Sequence, residues 1–159
     1  MSLDLSNQNL KSIPYIDPKL GIHTLDLSGN QITEIANLPE GLINLNLSEN
    51  NISFIYNIPK SVKYLDLWEN NIVNIVDLPE GLIYLNLSNN KIKKLENLTE
   101  KIEYLYIYEN QIKQLPIHLL KLTNLKEINY YGNPITKINN RLLKKFNKLH
   151  RHNLKIKFK

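Results

Sequence analysis

The sequence predicts an α/β solenoid of parallel strands, and three observations carry that prediction. Asparagines recur every twenty residues, at Asn30, Asn50, Asn70, Asn90 and Asn110. The words around them repeat: LINLNLSENNI, VKYLDLWENNI, LIYLNLSNNKI and IEYLYIYENQI vary one pattern. Apolar residues come in short alternating runs and form no long apolar block. A fixed period of this length marks coils stacked along an axis, not a chain wrapped round one core. The prediction is right-handed winding, about seven parallel strands on a concave face, a mostly extended convex side and a C-terminal cap helix.

Each element follows from the repeat LxxLxLxxNxIxxI. It reads Ile22, Leu25, Leu27, Asn30, Ile32, Ile35, and begins again at Leu42, Val62, Leu82 and Ile102. A longer copy runs Leu125, Ile128, Tyr130, Asn133, Ile135, Ile138. A degenerate first copy is Leu3, Leu5, Gln8, Leu10, Ile13, with Gln8 in the asparagine slot. Alternating Leu-x-Leu is a short strand with one face buried. With one strand per coil, successive strands must lie parallel. The asparagine sits where the chain leaves the sheet. Its amide donates and accepts, so it can satisfy turn backbone that no longer reaches the ladder. The later Ile-x-x-Ile fills the core from behind. LPEG at 38–41, IPKS at 58–61 and LPEG at 78–81 put proline in the return segment. Proline removes a donor and holds the backbone near extended values.

This pattern resembles the leucine-rich-repeat family. The twenty-residue step with LPEG–L–x–x–L–x–L is most similar to the short repeats of type III secreted bacterial effectors, over residues 1–138. The resemblance implies a leucine-rich-repeat solenoid that binds other proteins. Some such effectors carry a cysteine-dependent ubiquitin-ligase domain; with no cysteine here, that activity does not carry over. LPIHLLKLTNLKEINYYGNPI instead resembles a longer, 23-residue repeat, and its Leu119, Leu122, Leu125 spacing suits a helical turn.

Solenoid ends expose core and need caps. Residues 1–138 read as the solenoid and 139–159 as a basic C-terminal cap. Leu142, Leu143, Phe146 and Leu149 share one helical face. Leu154, Ile156 and Phe158 then alternate with Lys155, Lys157 and Lys159, a closing edge strand on which lysines discourage stray pairing. At the other end Leu3 and Leu5 stand almost at Met1. An uncapped parallel edge is a pairing hazard, so the first coil is expected to fray, to be covered, or to form a homodimer with its twin.

Composition narrows the setting. The 159 residues suit one domain, 22% charged and 42% hydrophobic. The absence of cysteine, the lack of signal-peptide blocks in MSLDLSNQNL and the lack of an apolar span lead to a cytoplasmic expectation without membrane insertion. Acceptor patterns for N-glycosylation at Asn46 and Asn86 would put sugar on the strand face, which also argues against secretion. Frequent Asn, Ile, Lys and Tyr have AT-rich codons, as in amoebal giant viruses, intracellular bacteria and protists. Together with the resemblance, this leads to the expectation of a host-directed factor of an intracellular pathogen or virus, placed in the host cytosol. Residues 1–127 hold 11 basic and 15 acidic side chains; residues 128–159 hold 9 basic and none acidic.

The candidate binding site is the concave face. Its columns are small and polar in the N-terminal half and aromatic in the C-terminal half. Tyr64, Tyr84 and Tyr104 occupy one column and are expected to stack about 4.8 Å apart. Tyr106, Tyr108, Tyr131 and the single tryptophan, Trp68, lie beside them, with Asp66, Glu69 and Glu109. Tyr and Trp dominate interface hot spots, and the acids favour a partner with basic groups and disfavour nucleic acid on this face. A tyrosine ladder that only stabilises the sheet is the competing reading. A second candidate is a basic patch of Lys137, Arg141, Lys144, Lys145, Lys148 and Arg151, suited to nucleic acid or an acidic surface. Self-assembly through the N-terminal coil is a third. No cofactor, metal or enzymatic role is expected. His23, His118, His150 and His152 have no ligand spacing, the five glycines form no phosphate loop, and acid pairs such as Asp66 and Glu69 recur because the repeat recurs.

Overall fold

Each Leu-x-Leu becomes a three-residue strand. The structure, a computed structural model, describes residues 1–150 and 155–157, with side chains through residue 146. Strands β1 (Ser2–Asp4), β2 (Thr24–Asp26), β3 (Asn44–Asn46), β4 (Tyr64–Asp66), β5 (Tyr84–Asn86), β6 (Tyr104–Tyr106) and β7 (Glu127–Asn129) form one parallel sheet in chain order. Helix α1 (Asn140–His150) follows, and β8 (Lys155–Lys157) pairs with β7. Leu154, Phe158 and Lys159 of the expected closing strand lie outside the described residues, as does Arg151 of the expected basic patch. The result is the leucine-rich-repeat solenoid that the period implies.

Register keeps one row of apolar residues in step through Leu3, Leu25, Leu45, Leu65, Leu85, Leu105 and Ile128. From Leu25 onward these side chains are at most 2% exposed, and Leu25 through Leu105 each have an apolar neighbour in register on both sides. Leu3 and Leu5 have a neighbour on one side and are half-buried. Full burial of such a side chain contributes roughly 1.5–3 kcal/mol, so interior coils gain most from stacking.

The asparagines close the hydrogen-bond accounting at the end of each strand. Asn50 Oδ1 accepts from Ile32 N at 2.9 Å, while its Nδ2 donates to Leu27 O, Leu47 O and Ser48 O at 3.0, 3.2 and 3.0 Å. Asn70, Asn90, Asn110 and Asn133 repeat the arrangement one coil on. Each amide therefore stitches its own coil to the one before. Gln8, in the asparagine slot of the first copy, is exposed, and its N–H donates to Asn30 Oδ1 at 3.0 Å.

The convex side is mostly extended. The two longer steps insert 3-10 turns at Pro18–Leu20 and Ile117–Lys121. The second is the helical turn expected from Leu119, Leu122 and Leu125, and it buries Leu119. The first is signalled by Asp17-Pro18, whose carboxylate accepts from Lys19 N at 2.9 Å, and by the Gly21 stop at φ 57°. Leu142 and Phe146 of α1 are fully buried, and the Phe146 ring lies 6.5 Å from that of Tyr130.

Candidate partner-binding face

Outward residues of the strands build this face. The column between the two leucines is Asp4, Asp26, Asn46, Asp66, Asn86, Tyr106, Asn129. In six of these seven coils the side chain accepts from the N–H two residues on, at 2.9–3.2 Å, and ends the strand with an Asx turn. The carboxylates and amides also bond sideways. Asn46 Nδ2 donates to Asp26 Oδ2 at 3.1 Å and Asn86 Nδ2 to Asp66 Oδ2 at 3.3 Å. Those amides are thus engaged at both acceptor patterns noted above.

Tyr106 breaks that column. It has no acceptor for the Tyr108 N–H, so its coil gives up a hydrogen bond that the others make. In exchange its ring lies 5.5 Å from Tyr84, at 45°. This revises the expected stack of Tyr64, Tyr84 and Tyr104. Those three are neighbours in register, but among the described residues the ring contact runs diagonally, toward the space above short Asn86. The face of Tyr104 is taken instead by Lys126 Nζ, 5.8 Å from its centroid and 2.6 Å from Glu103.

Trp68 breaks the next column. Its register neighbours are Ser48 and Ser88, and Ser88, between Trp68 and Tyr108, is wholly buried. The Trp68 Nε1 is also buried, with no hydrogen-bond partner. Tyr64 and Tyr131 are the most open aromatics of the face, at 43% and 45%. Glu69 and Glu109 are exposed at its rim. Both hold left-handed backbone, φ 53° and 50°, at a slot where other coils place Gly29, Asn89 and Gly132. A second left-handed slot, at Asn37, Asn57, Asp77 and Asn97, shapes the convex turn. Neither was deduced from the sequence, although Asn, Asp and Gly recurring at one period were the available signal.

Electrostatics follow from the packing. Burial raises the Asp66 pKa, and Asp26 adds to the rise, against the N–H of Trp68 and the amide of Asn86, which lower it. Burial pushes the Tyr84 and Tyr106 phenols up to about 12, reinforced by Asp66 at Tyr84 and by Glu127 at Tyr106. A groove of about 320 Å³ opens between Asp26, Asn46, Tyr64, Asp66 and Tyr84. It centres N-terminal to the densest aromatics. It joins the two halves of the face that the sequence separated.

Three side chains of the basic patch, Lys137, Arg141 and Lys144, are open to solvent. Lys145 is withdrawn from it: its Nζ donates to Leu119 O, Leu120 O and Leu122 O at 3.1, 2.8 and 3.0 Å. Leu119 O and Leu122 O also accept from Leu122 N and Leu125 N at 3.3 and 3.4 Å, and the ammonium takes up the remaining acceptor capacity at the end of the 3-10 turn. Burial lowers the Lys145 pKa. For Lys148 only the helical backbone is described. Among the described residues no three His, Cys, Asp or Glu side chains cluster as metal ligands, and no helix is long and apolar enough to cross a membrane.

Comparison with known proteins supports the fold. The FNIP Repeat family model matches residues 30–69. A search of curated proteins gives no match. Among solved structures, the chain is similar to YopM from Yersinia enterocolitica, at 26% identity and TM-score 0.73, over 83% of this chain and 28% of that one. It is similar to an internalin from Listeria monocytogenes at 26% and 0.74, over 98% and 46%. A Shigella effector leucine-rich-repeat domain matches at 25% and 0.72, over 99% and 80%. The chain thus spans less than half of the first two. Its repeats resemble those of bacterial effectors, as the sequence implied.

Proposed function

We propose that this chain is a non-catalytic module that binds a protein partner on its concave face. The observation that carries the reading is Tyr106 in the Asx column, where an aromatic replaces the repeat's own strand-ending hydrogen bond. A ring placed there for stability alone forfeits a hydrogen bond of roughly 0.5–1.5 kcal/mol. Trp68, in a serine column with an unsatisfied indole N–H, points the same way. The Tyr84 ring contact at most balances the hydrogen bond lost at Tyr106, and local rules broken without net local gain mark functional positions. Tyr64, Tyr84, Tyr104, Tyr106, Tyr108, Tyr131 and Trp68 supply the anchoring area, and Asp66, Glu69 and Glu109 select basic groups. The groove between Tyr64, Tyr84, Asp26 and Asp66 accepts one lysine or arginine side chain of that partner. Similarity to effector structures supports a host-directed role in a cytosol.

The test is capture of partners by wild type and by Trp68→Ala/Tyr84→Ala/Tyr106→Ala, matched for thermal unfolding. Loss of a partner in the variant supports the reading; an unchanged set makes the rings structural. A second reading rests on half-buried Leu3 and Leu5 at the β1 edge, which suit self-association. Light scattering across concentration tests it: a constant monomer mass rejects it.

A further inference from the structure

A cavity larger than the groove of the concave face lies elsewhere on the molecule. It is a groove of about 860 Å³ on the flank where each coil leaves its asparagine. Lys93, Lys94 and Lys113 rim it, Pro116 and Pro134 line it, and Glu96 is its one acid. The repeat shows how particular this charge is. The flank slots three and four residues past the asparagine read Thr33 and Glu34, Ser53 and Phe54, Val73 and Asn74 in the second to fourth coils. They become Lys93 and Lys94, then Lys113 and Gln114, in the fifth and sixth. A bridge from Gln114 to Lys137 carries the cationic run into the next coil.

Stacking lysines in one slot of adjacent coils sets like charges side by side, which opposes folding. Against its three lysines the groove sets one acid, Glu96. Among the described residues the ion pair within 4.0 Å is Lys126–Glu103, away from the groove. The lysines are exposed and free to swing over the groove.

We propose that this groove is a second docking site, which holds an extended acidic polypeptide segment carrying an apolar residue. The lysine rim meets the carboxylates, and the lysine stems and the two prolines meet the apolar side chain. Side chains on one face of an extended strand recur about every 7 Å, within reach of flexible lysines on adjacent coils. A polypeptide fits better than nucleic acid. Single-stranded nucleic acid is held by stacking on large aromatic side chains as well as by charge, and no Phe, Tyr or Trp lines the groove; its one ring is the His118 imidazole, whose Nε2 is buried. The site has the opposite charge preference to the concave face and stands independently of it.

The test is fluorescence anisotropy with a fluorescein-labelled peptide of alternating Glu and Leu around a central Pro. Wild type is compared with Lys93→Glu/Lys94→Glu/Lys113→Glu and with a control of equal net charge, Lys11→Glu/Lys19→Glu/Lys60→Glu. Thermal unfolding checks each variant, and glutamine replaces glutamate at any position where folding is lost. The expected result is a loss of about tenfold or more in the groove variant and less than about threefold in the control, since rim charges act locally. Tyr84→Ala should bind the peptide as wild type does, which separates this site from the concave face. Failure of wild type to bind, equal losses in both variants, or tighter binding of an oligothymidine of equal charge would each overturn the proposal.

Discussion

The asparagine spine and the concave columns share one period, yet they behave differently along the chain. In the spine the same residue recurs from Asn30 to Asn133, and the amides of Asn50, Asn70, Asn90 and Asn110 are buried and bonded on both sides. In the columns the residue changes from coil to coil: aspartate, asparagine, then Tyr106; serine, then Trp68, then serine again. The spine is constrained by the coil before it and the coil after it. The columns face solvent on one side and are free to vary. Constancy at a fixed period therefore reports architecture, and the breaks in the period are the positions on which the proposed binding face rests.

Breaking the spine should have the largest effect. Asn70→Ala removes the acceptor of buried Ile52 N and one of two amide donors to Leu47 O, which keeps Asn50 Nδ2 at 3.2 Å. An orphaned buried N–H costs about 1–3 kcal/mol, so a loss in that range is expected in urea unfolding. A loss under about 1 kcal/mol would mean that water or neighbouring backbone replaces the amide. A smaller effect is expected at the turn slot. Gly29 has φ +65°, and a Cβ there would run into the Asn7 side chain; Gly81 has open space. Gly29→Ala should cost about 1–2 kcal/mol and Gly81→Ala almost nothing. Equal costs would remove the distinction between the slots.

The columns should respond weakly in stability. Tyr106→Asn restores the Asx turn and loses the contact with Tyr84, so unfolding should stay within about 1 kcal/mol of wild type. A loss well beyond that would make the ring structural. Alkaline titration sharpens the same point. Burial holds Tyr84, Tyr106 and Tyr130 up at about 12, so in a spectrophotometric titration these three of the nine tyrosines should ionise late. Because the folded chain keeps those protons longer than the unfolded chain, stability should fall as pH rises from about 10 to about 12. In Tyr106→Asn one late group should vanish.

Much of this was legible in the sequence because the repeat is redundant. Leu25 to Leu105 and Asn30 to Asn110 state the strand, its buried side and its turn several times over. What stayed hidden depends on conformation or on contacts between coils. Glu49, Glu69 and Glu109 do not advertise left-handed backbone, since glutamate rarely adopts it. Lys145 looked like any other basic side chain until the carbonyls of residues 119, 120 and 122 were placed around it. Tyr84 and Tyr106 are neighbours only diagonally, across strands, which a column read from one slot does not show. Lys93, Lys94 and Lys113 were visible as residues, but the groove between them exists only once the coils stack.

The most direct measurement pairs unfolding with partner capture for Asn70→Ala and for Trp68→Ala/Tyr84→Ala/Tyr106→Ala, both at a temperature where each is folded. The expected result is a crossed one: Asn70→Ala lowers stability by about 1–3 kcal/mol and keeps its partner, while the aromatic variant loses its partner at nearly unchanged stability. The opposite crossing would contradict the division. A destabilised aromatic variant that captured the same proteins as wild type would show that the rings of the concave face serve the fold.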